Sequence, residues 1–373
     1  MVQSVVTKNV IVIFLLFCQM GALRLFFALS VLLGHISIAL PISDIYAVQG
    51  FFIISGFYMS LILNEKYPTS KDNFVFYKKR FLRLLPTYWL LTLFAIIISW
   101  CYYHIGVTCP TYFFDFKHFP SNASFSTIIF IILSNFFAIG QDFALFLGIS
   151  PESGNIFFSA YPYDIDYPLG RYMFLTVAWS IGAEFTFYII APFILRGKNR
   201  IVFILVLLSA LSNFFTNYYG LNNNNWRFRF FPSILIFFLS GYYAYWIFNK
   251  IRNRLIPFQY RLPILFVLLL LLSVFLNIQF PYIVHELFLL AYGTVSVPVL
   301  FCMFKKDRLD REIGEVSYPL YLIHPLFIGV NELVGFNSRF FIVFFSLVGA
   351  YICFKFFITP LEKIRNRVGY SSR

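Results

Sequence analysis

Eleven apolar segments, most of them long enough to cross a bilayer, follow one another along the 373-residue chain: 10–39, 46–64, 84–104, 125–147, 172–195, 201–219, 228–248, 261–279, 282–304, 314–333 and 339–358. A hydrocarbon core about 30 Å thick takes roughly 20 apolar residues of helix, and helices satisfy their own backbone there. The pattern predicts an all-α polytopic membrane protein. Composition agrees, because 60% of residues are hydrophobic and 12% charged. Mean hydropathy is +0.77. An ordinary soluble fold is excluded.

Charge then sets the topology. Basic clusters run from Lys66 to Arg83, Arg196 to Arg200, Lys250 to Arg254, Lys305 to Arg311 and Lys363 to Arg367. Cytoplasmic loops collect lysine and arginine. If all eleven segments crossed, the cluster at 196–200 and every later one would face outside. If 125–147 does not cross, all fall inside. That segment is also interrupted by Asn135, Gly140, Gln141 and Asp142. The expectation is about ten transmembrane helices with both termini cytoplasmic and one non-spanning or re-entrant helix near 125–147. Residues 1–373 form a single membrane domain on this reading: a helical bundle over 10–360, an extracytoplasmic region over 105–171 and a cytoplasmic tail over 361–373. The net charge of +13 lies between spans, where it orients them, so nucleic acid is not an expected partner. The apolar run VIVIFLLFCQM continues into the first span without a small-residue cleavage site and is read as part of that helix.

Ionisable residues within apolar runs are costly and mark function. In GALRLFFALSVLLGHIS, Arg24 and His35 are eleven residues apart, about three helical turns plus 20°, so they share one face and lie about 16 Å apart along the axis. Histidine is the usual general base near neutral pH, and the arginine suits an anionic ligand. In FYKKRFLRLLP, Arg80 and Arg83 are three apart and read either as an orientation signal or as a phosphate clamp. Gly50, Ser55 and Gly56 read as helix-packing residues. In the run opened by Trp179, Ser180, Glu184 and Tyr188 share a face. Glu184 needs a partner: it could orient His35, pair with an arginine or bind a sugar hydroxyl. Ser317, Tyr321 and His324 likewise share a face, and Pro325 follows. Cys18, Cys302 and Cys353 read as packing residues, while Cys101 and Cys109 flank an external loop and are a candidate disulfide pair. No metal-ligand spacing, nucleotide loop or nucleophile elbow is present.

Five stretches in this order, LRLFFALSVLLGH with its R-x10-H spacing, QGFFIISGFYMS, FYKKRFLRLLPTYW, AWSIGAEFTFYIIAP and SYPLYLIHPLF, resemble acyltransferase family 3, the integral membrane O-acyltransferases. The resemblance covers roughly Gly21 to Pro360. It implies a ten-helix bundle of a bacterial inner (plasma) membrane that moves an acetyl or other acyl group from cytoplasmic acetyl-CoA or a related acyl-CoA, with no metal, to a glycan or lipid-linked glycan hydroxyl on the far side. O-antigen or capsule is the expected acceptor by that analogy. Carried over by position, His35 is the essential histidine, Arg24 its paired arginine, and Arg80 and Arg83 the donor-end R-x-x-R. Glu184 and His324 match recurring family positions, with Ser55, Trp179, Ser180 and Tyr321 supporting. Some relatives carry a further extracytoplasmic hydrolase-like domain; without one, direct transfer or a partner is expected. A transporter or flippase of a lipid-linked glycan is the alternative, and a scaffold would leave His35 unexplained. Internal pseudo-symmetry of the kind transporters show is not evident.

Overall fold

The computed structural model describes residues 20–38, 42–197, 199–221, 223–253, 258–304 and 308–367. The stretch before Met20 with Cys18, residues such as Arg254, Lys305 and Lys306 of the basic clusters, and the tail beyond Arg367 lie outside the described residues. In chain order the helices are α1 Met20–His35, α2 Asp44–Glu65, α3 Asn73–Ile105, α4 Phe125–Phe137, α5 Gln141–Ala144, α6 Trp179–Ile194, α7 Asn199–Tyr218, α8 Asn224–Phe228, α9 Phe231–Ile251, α10 Phe258–Asn277, α11 Tyr282–Phe304, α12 Arg308–Leu333, α13 Arg339–Cys353 and α14 Thr359–Arg367. A π-helical turn, Phe354–Ile358, joins the last two. Among the described residues the fold is all-α apart from one antiparallel ribbon, β1 Leu147–Ile149 with β2 Ile156–Phe158.

Eight helical stretches among the described residues are long and apolar enough to span a membrane. Met20–His35 and Gln259–Leu272 are shorter apolar helices. The expected non-spanning segment breaks where its polar residues fall. Helix α4 has 13 residues, about 20 Å against a core of about 30 Å. Ser124 caps its start by accepting from the Thr127 N–H at 3.3 Å. Its end is tied down by the Asn135 side chain, which donates to the Tyr172 carbonyl at 3.0 Å and accepts from the Phe174 N–H at 2.8 Å.

The described residues group into two compact units: those up to Leu61 with Phe237–Tyr321, and Ile62–Ile236 with Leu322 onward. In the first, α2 and α9 approach closely enough that a Cβ on Gly56 would collide with the Phe238 carbonyl. This is the close approach expected of the small residues in QGFFIISGF. In the second unit the region expected outside the membrane has its own core of Phe114, Ile131, Ala144, Leu147, Ile149, Leu169, Tyr172 and Met173. It is a packed element and not a slack loop. Cys101 and Cys109, the expected pair, are free thiols. The Cys109 S–H instead faces the Phe114 carbonyl at 3.6 Å, and burial pushes the thiol up to about 12.

Candidate functional site

The expected site residues divide between the units. Arg24, His35, Ser55 and Tyr321 belong to the first; Arg80, Arg83, Trp179, Ser180, Glu184 and His324 belong to the second.

In the first unit, α1 holds Arg24 and His35 on one face, both half-buried. Its start is fixed from far along the chain. The buried Asp310 carboxylate at the start of α12 accepts from the Gly21 and Ala22 N–H groups at 2.6 and 3.1 Å. These are first-turn donors with no partner inside their own helix, and a carboxylate there also meets the positive end of the helix dipole. Gly21 and Gly314 allow the approach, since a Cβ on Gly314 would lie 2.7 Å from Gly21 Cα and 3.7 Å from an Arg24 guanidinium nitrogen. At the other end, His35 Nε2 lies 4.0 Å from Asp44 Oδ2. Gly34 packs on the same Asp44 side chain, so the end of α1 and the start of α2 are in direct contact. At 4.0 Å the imidazole and carboxylate interact electrostatically without a hydrogen bond. Aromatic rings tie α1 to α12 through α2: Phe27 meets Phe51 at 5.6 Å, and Phe51 meets Tyr321 at 6.2 Å, both edge-on. Ser55 is buried in α2.

Helix α2 also carries a polar cluster that its glycine-rich motif concealed. The buried Gln49 side chain donates to Glu286 at 3.0 Å and to the Tyr282 hydroxyl at 3.3 Å, and that hydroxyl donates to Glu286. Glu286, 7% exposed in an apolar helix, was detectable as a lone acid within a span. Asp44 and Asp310 gave a weaker signal: each is an acid in the first turn of its helix.

In the second unit, α3 brings the R-x-x-R element against α6. Phe81 stacks on Phe185 at 5.2 Å, and the Tyr77 hydroxyl donates to the Ile189 carbonyl at 2.8 Å. This sets Arg80 within electrostatic reach of Tyr188, whose hydroxyl donates to Glu184. The shared face expected of Glu184 and Tyr188 is therefore a real pair, and it leads to an arginine. The Ser180 hydroxyl donates to the Val177 carbonyl at 3.2 Å, in the 3-10 turn Thr176–Ala178 that precedes α6. Trp179 lies beneath the Arg229 guanidinium at 5.5 Å, and Arg229 also donates to Asn225 at 2.9 Å and Tyr163 at 3.3 Å. His324 is fully buried. An apolar cavity of about 400 Å³ lies elsewhere in this unit, lined by residues such as Phe114, Phe119, Ile131 and Phe174; no expected site residue lines it.

Arg80 does not face outward as a simple orientation signal would. It is half-buried, and its Nε meets no hydrogen-bond partner among the described residues. Its neighbours include Arg83 and, from the last helix, Arg365. Helix α3 has 33 residues, about 50 Å, roughly 20 Å more than a hydrocarbon core.

A multi-pass α-helical membrane protein with an imidazole beside a carboxylate, and arginines gathered around the start of a long helix, is the class these features define. Comparison with known proteins names it. The family model for the acyltransferase domain of acyltransferase family 3 matches residues 19–359, and the chain belongs to that family as a membrane acyltransferase. A protein of Aquifex aeolicus (strain VF5), named only as uncharacterized, is 27% identical over 203 residues, which cover 50% of this chain and 88% of that protein. No solved structure matches.

Proposed function

We propose that the protein is an O-acetyltransferase of a bacterial inner (plasma) membrane, taking the acyl group from cytoplasmic acetyl-CoA and delivering it to a hydroxyl of a surface glycan or lipid-linked glycan. Arg80 and Arg83 bind the donor phosphates, for which guanidinium forks are suited. Arg24 binds further along the donor path. His35 is the general base. Its neutral imidazole takes the acceptor hydroxyl proton as the oxygen attacks the thioester carbonyl. The tetrahedral intermediate then collapses, the C–S bond breaks, and the proton passes from the imidazolium to the departing thiolate. Asp44, close by, stabilises the charged form of the imidazole.

The observation that carries this reading is His35 beside Asp44 on the helix that also bears Arg24. Glu184, held by Tyr188 near Arg80, serves the donor end by positioning.

Mass spectrometry of surface glycan from cells carrying wild type, His35→Ala or empty vector tests it, with expression verified by immunoblot. An acetyl-sized increment with wild type, reduced at least about 100-fold in the alanine variant, is the expected result. Full acetylation by His35→Ala would remove the base. Wild type that moves a lipid-linked glycan across the membrane without changing its mass would make the protein a flippase.

A further inference from the structure

Around Arg80 the chain builds a shelf of cations over buried aromatic rings. Tyr67 and Phe76, 6% and 0% exposed, meet edge-on at 6.1 Å. Each carries a cation on its face: Lys66 lies 5.7 Å from the Tyr67 centroid and Arg80 lies 5.9 Å from that of Phe76. Lys79 is within electrostatic reach of Lys66, Arg80 and Arg365. Arg365 reaches it from α14, close to 300 residues further along the chain.

The shelf is rigidly built. The Arg196 guanidinium donates to the Tyr67 carbonyl at 3.1 Å and to Asn73 at 2.6 Å. Thr69 and Asp72 close a reciprocal cap, with the Thr69 hydroxyl donating to Asp72 at 2.7 Å. Two carboxylates here are engaged locally, Asp72 by the Thr69 hydroxyl at 2.7 Å and Glu362 by Arg365 at 2.5 Å. Lys79 neighbours Lys66, Arg80 and Arg365, and Arg80 neighbours Arg83 and Arg365. Like charges held together in a folded protein cost stability unless an anion offsets them. Aromatic faces beneath cations support the charges but do not neutralise them.

We propose that Lys66, Lys79 and Arg365 complete, with Arg80, a phosphate-binding shelf, and that Glu362 holds Arg365 in position until a phosphate replaces it. The ligand chemistry is a phosphoester or pyrophosphate, supplied either by a soluble nucleotide such as coenzyme A or by an anionic lipid headgroup. Only the nucleotide identity rests on the donor assignment above. The α14 helix is thus a binding element and not merely a terminal orientation signal.

The test uses the full chain in phosphatidylcholine nanodiscs, titrated with coenzyme A and separately with inorganic pyrophosphate. Phosphatidylglycerol retention is measured in parallel by native mass spectrometry. Wild type is expected to bind, Arg365→Ala and Lys79→Ala to weaken binding about tenfold each, and Arg365→Lys to recover part of it. Glu362→Gln is expected to tighten binding about threefold, since it removes the competing carboxylate; a purely structural ion pair would give no such gain. Thermal melts confirm that each variant is folded.

Coenzyme A binding unchanged by Arg365→Ala and Lys79→Ala would overturn the shelf and leave the donor assignment intact. Pyrophosphate or phosphatidylglycerol binding lost in those variants, with no coenzyme A binding by wild type, would uphold the shelf with a lipid headgroup as its ligand and overturn the donor assignment. No binding of any probe would overturn both.

Discussion

Around α1 and α2 several polar groups are matched by partners, whereas around Arg80 at the α3–α14 contact cations neighbour cations. Asp310 meets two N–H groups, His35 lies near Asp44, and Gln49 and Tyr282 donate to Glu286. A group balanced from within holds geometry, and removing its partner costs stability. On the proposed reading, a group left in excess serves a ligand, and removing it costs binding. The contrast predicts opposite signs for substitutions of similar chemistry.

The largest effect is expected at Asp310. Its carboxylate accepts from two first-turn N–H groups in a buried setting. Hydrogen bonds to a charged group are each worth about 1.5–3 kcal/mol. Asp310→Ala should destabilise the protein by about 3 kcal/mol, read as a lowered melting midpoint in detergent, while Asp310→Asn recovers part of the loss. An unchanged midpoint would show that α1 is held by its apolar packing alone, and the balanced half of the contrast would lose its main support.

A buried acid in the second unit should behave in the opposite way. Asp142, 5% exposed on α5, packs where Gly182 of α6 contacts the same turn. One of its oxygens meets no hydrogen-bond donor among the described residues. Burial pushes its carboxyl up to about 6 from 3.8. The folded state therefore holds this proton more tightly than the unfolded chain does. Its stabilising share is fully present below about pH 4 and is lost as pH rises to about 6 and beyond. Asp142→Asn should stabilise the protein at pH 8 by up to about 3 kcal/mol and flatten the melting profile between pH 4 and 6. Equal melting profiles for wild type and variant would mean that an unseen partner already satisfies the carboxylate.

Much of the architecture was legible because bilayer thickness imposes a length on every span, and apolar runs display that length directly. The break at Asn135 to Asp142 was legible for the same reason. The three-residue strands Leu147–Ile149 and Ile156–Phe158 were not, being too short to show alternation. In the site, helical spacing located Arg24 with His35, Arg80 with Arg83, and Glu184 with Tyr188, since each pair lies on one helix. It could not reach partners supplied by distant helices. The Asp310 cap spans 289 residues, and Arg365 reaches Arg80 from the far end of the chain. Spacing also misled at Cys101 and Cys109, which are free thiols: proximity in sequence did not align them.

The smallest expected effect distinguishes the two halves most directly. Arg80→Met keeps a long side chain over Phe76 while removing a cation from a group of like charges. Without ligand it should raise stability by about 1 kcal/mol, as replacing uncompensated buried charge by an apolar side chain commonly does. With coenzyme A at about 100 times its dissociation constant, wild type should gain about 2.7 kcal/mol and the variant little, so the order of melting midpoints reverses. Arg80→Lys should not restore binding, because an ammonium lacks the two-pronged donor geometry of a guanidinium. A variant less stable than wild type in the absence of ligand would show that Arg80 is balanced from within after all, in which case its neighbours are arranged for packing and the excess of charge around α3 awaits nothing.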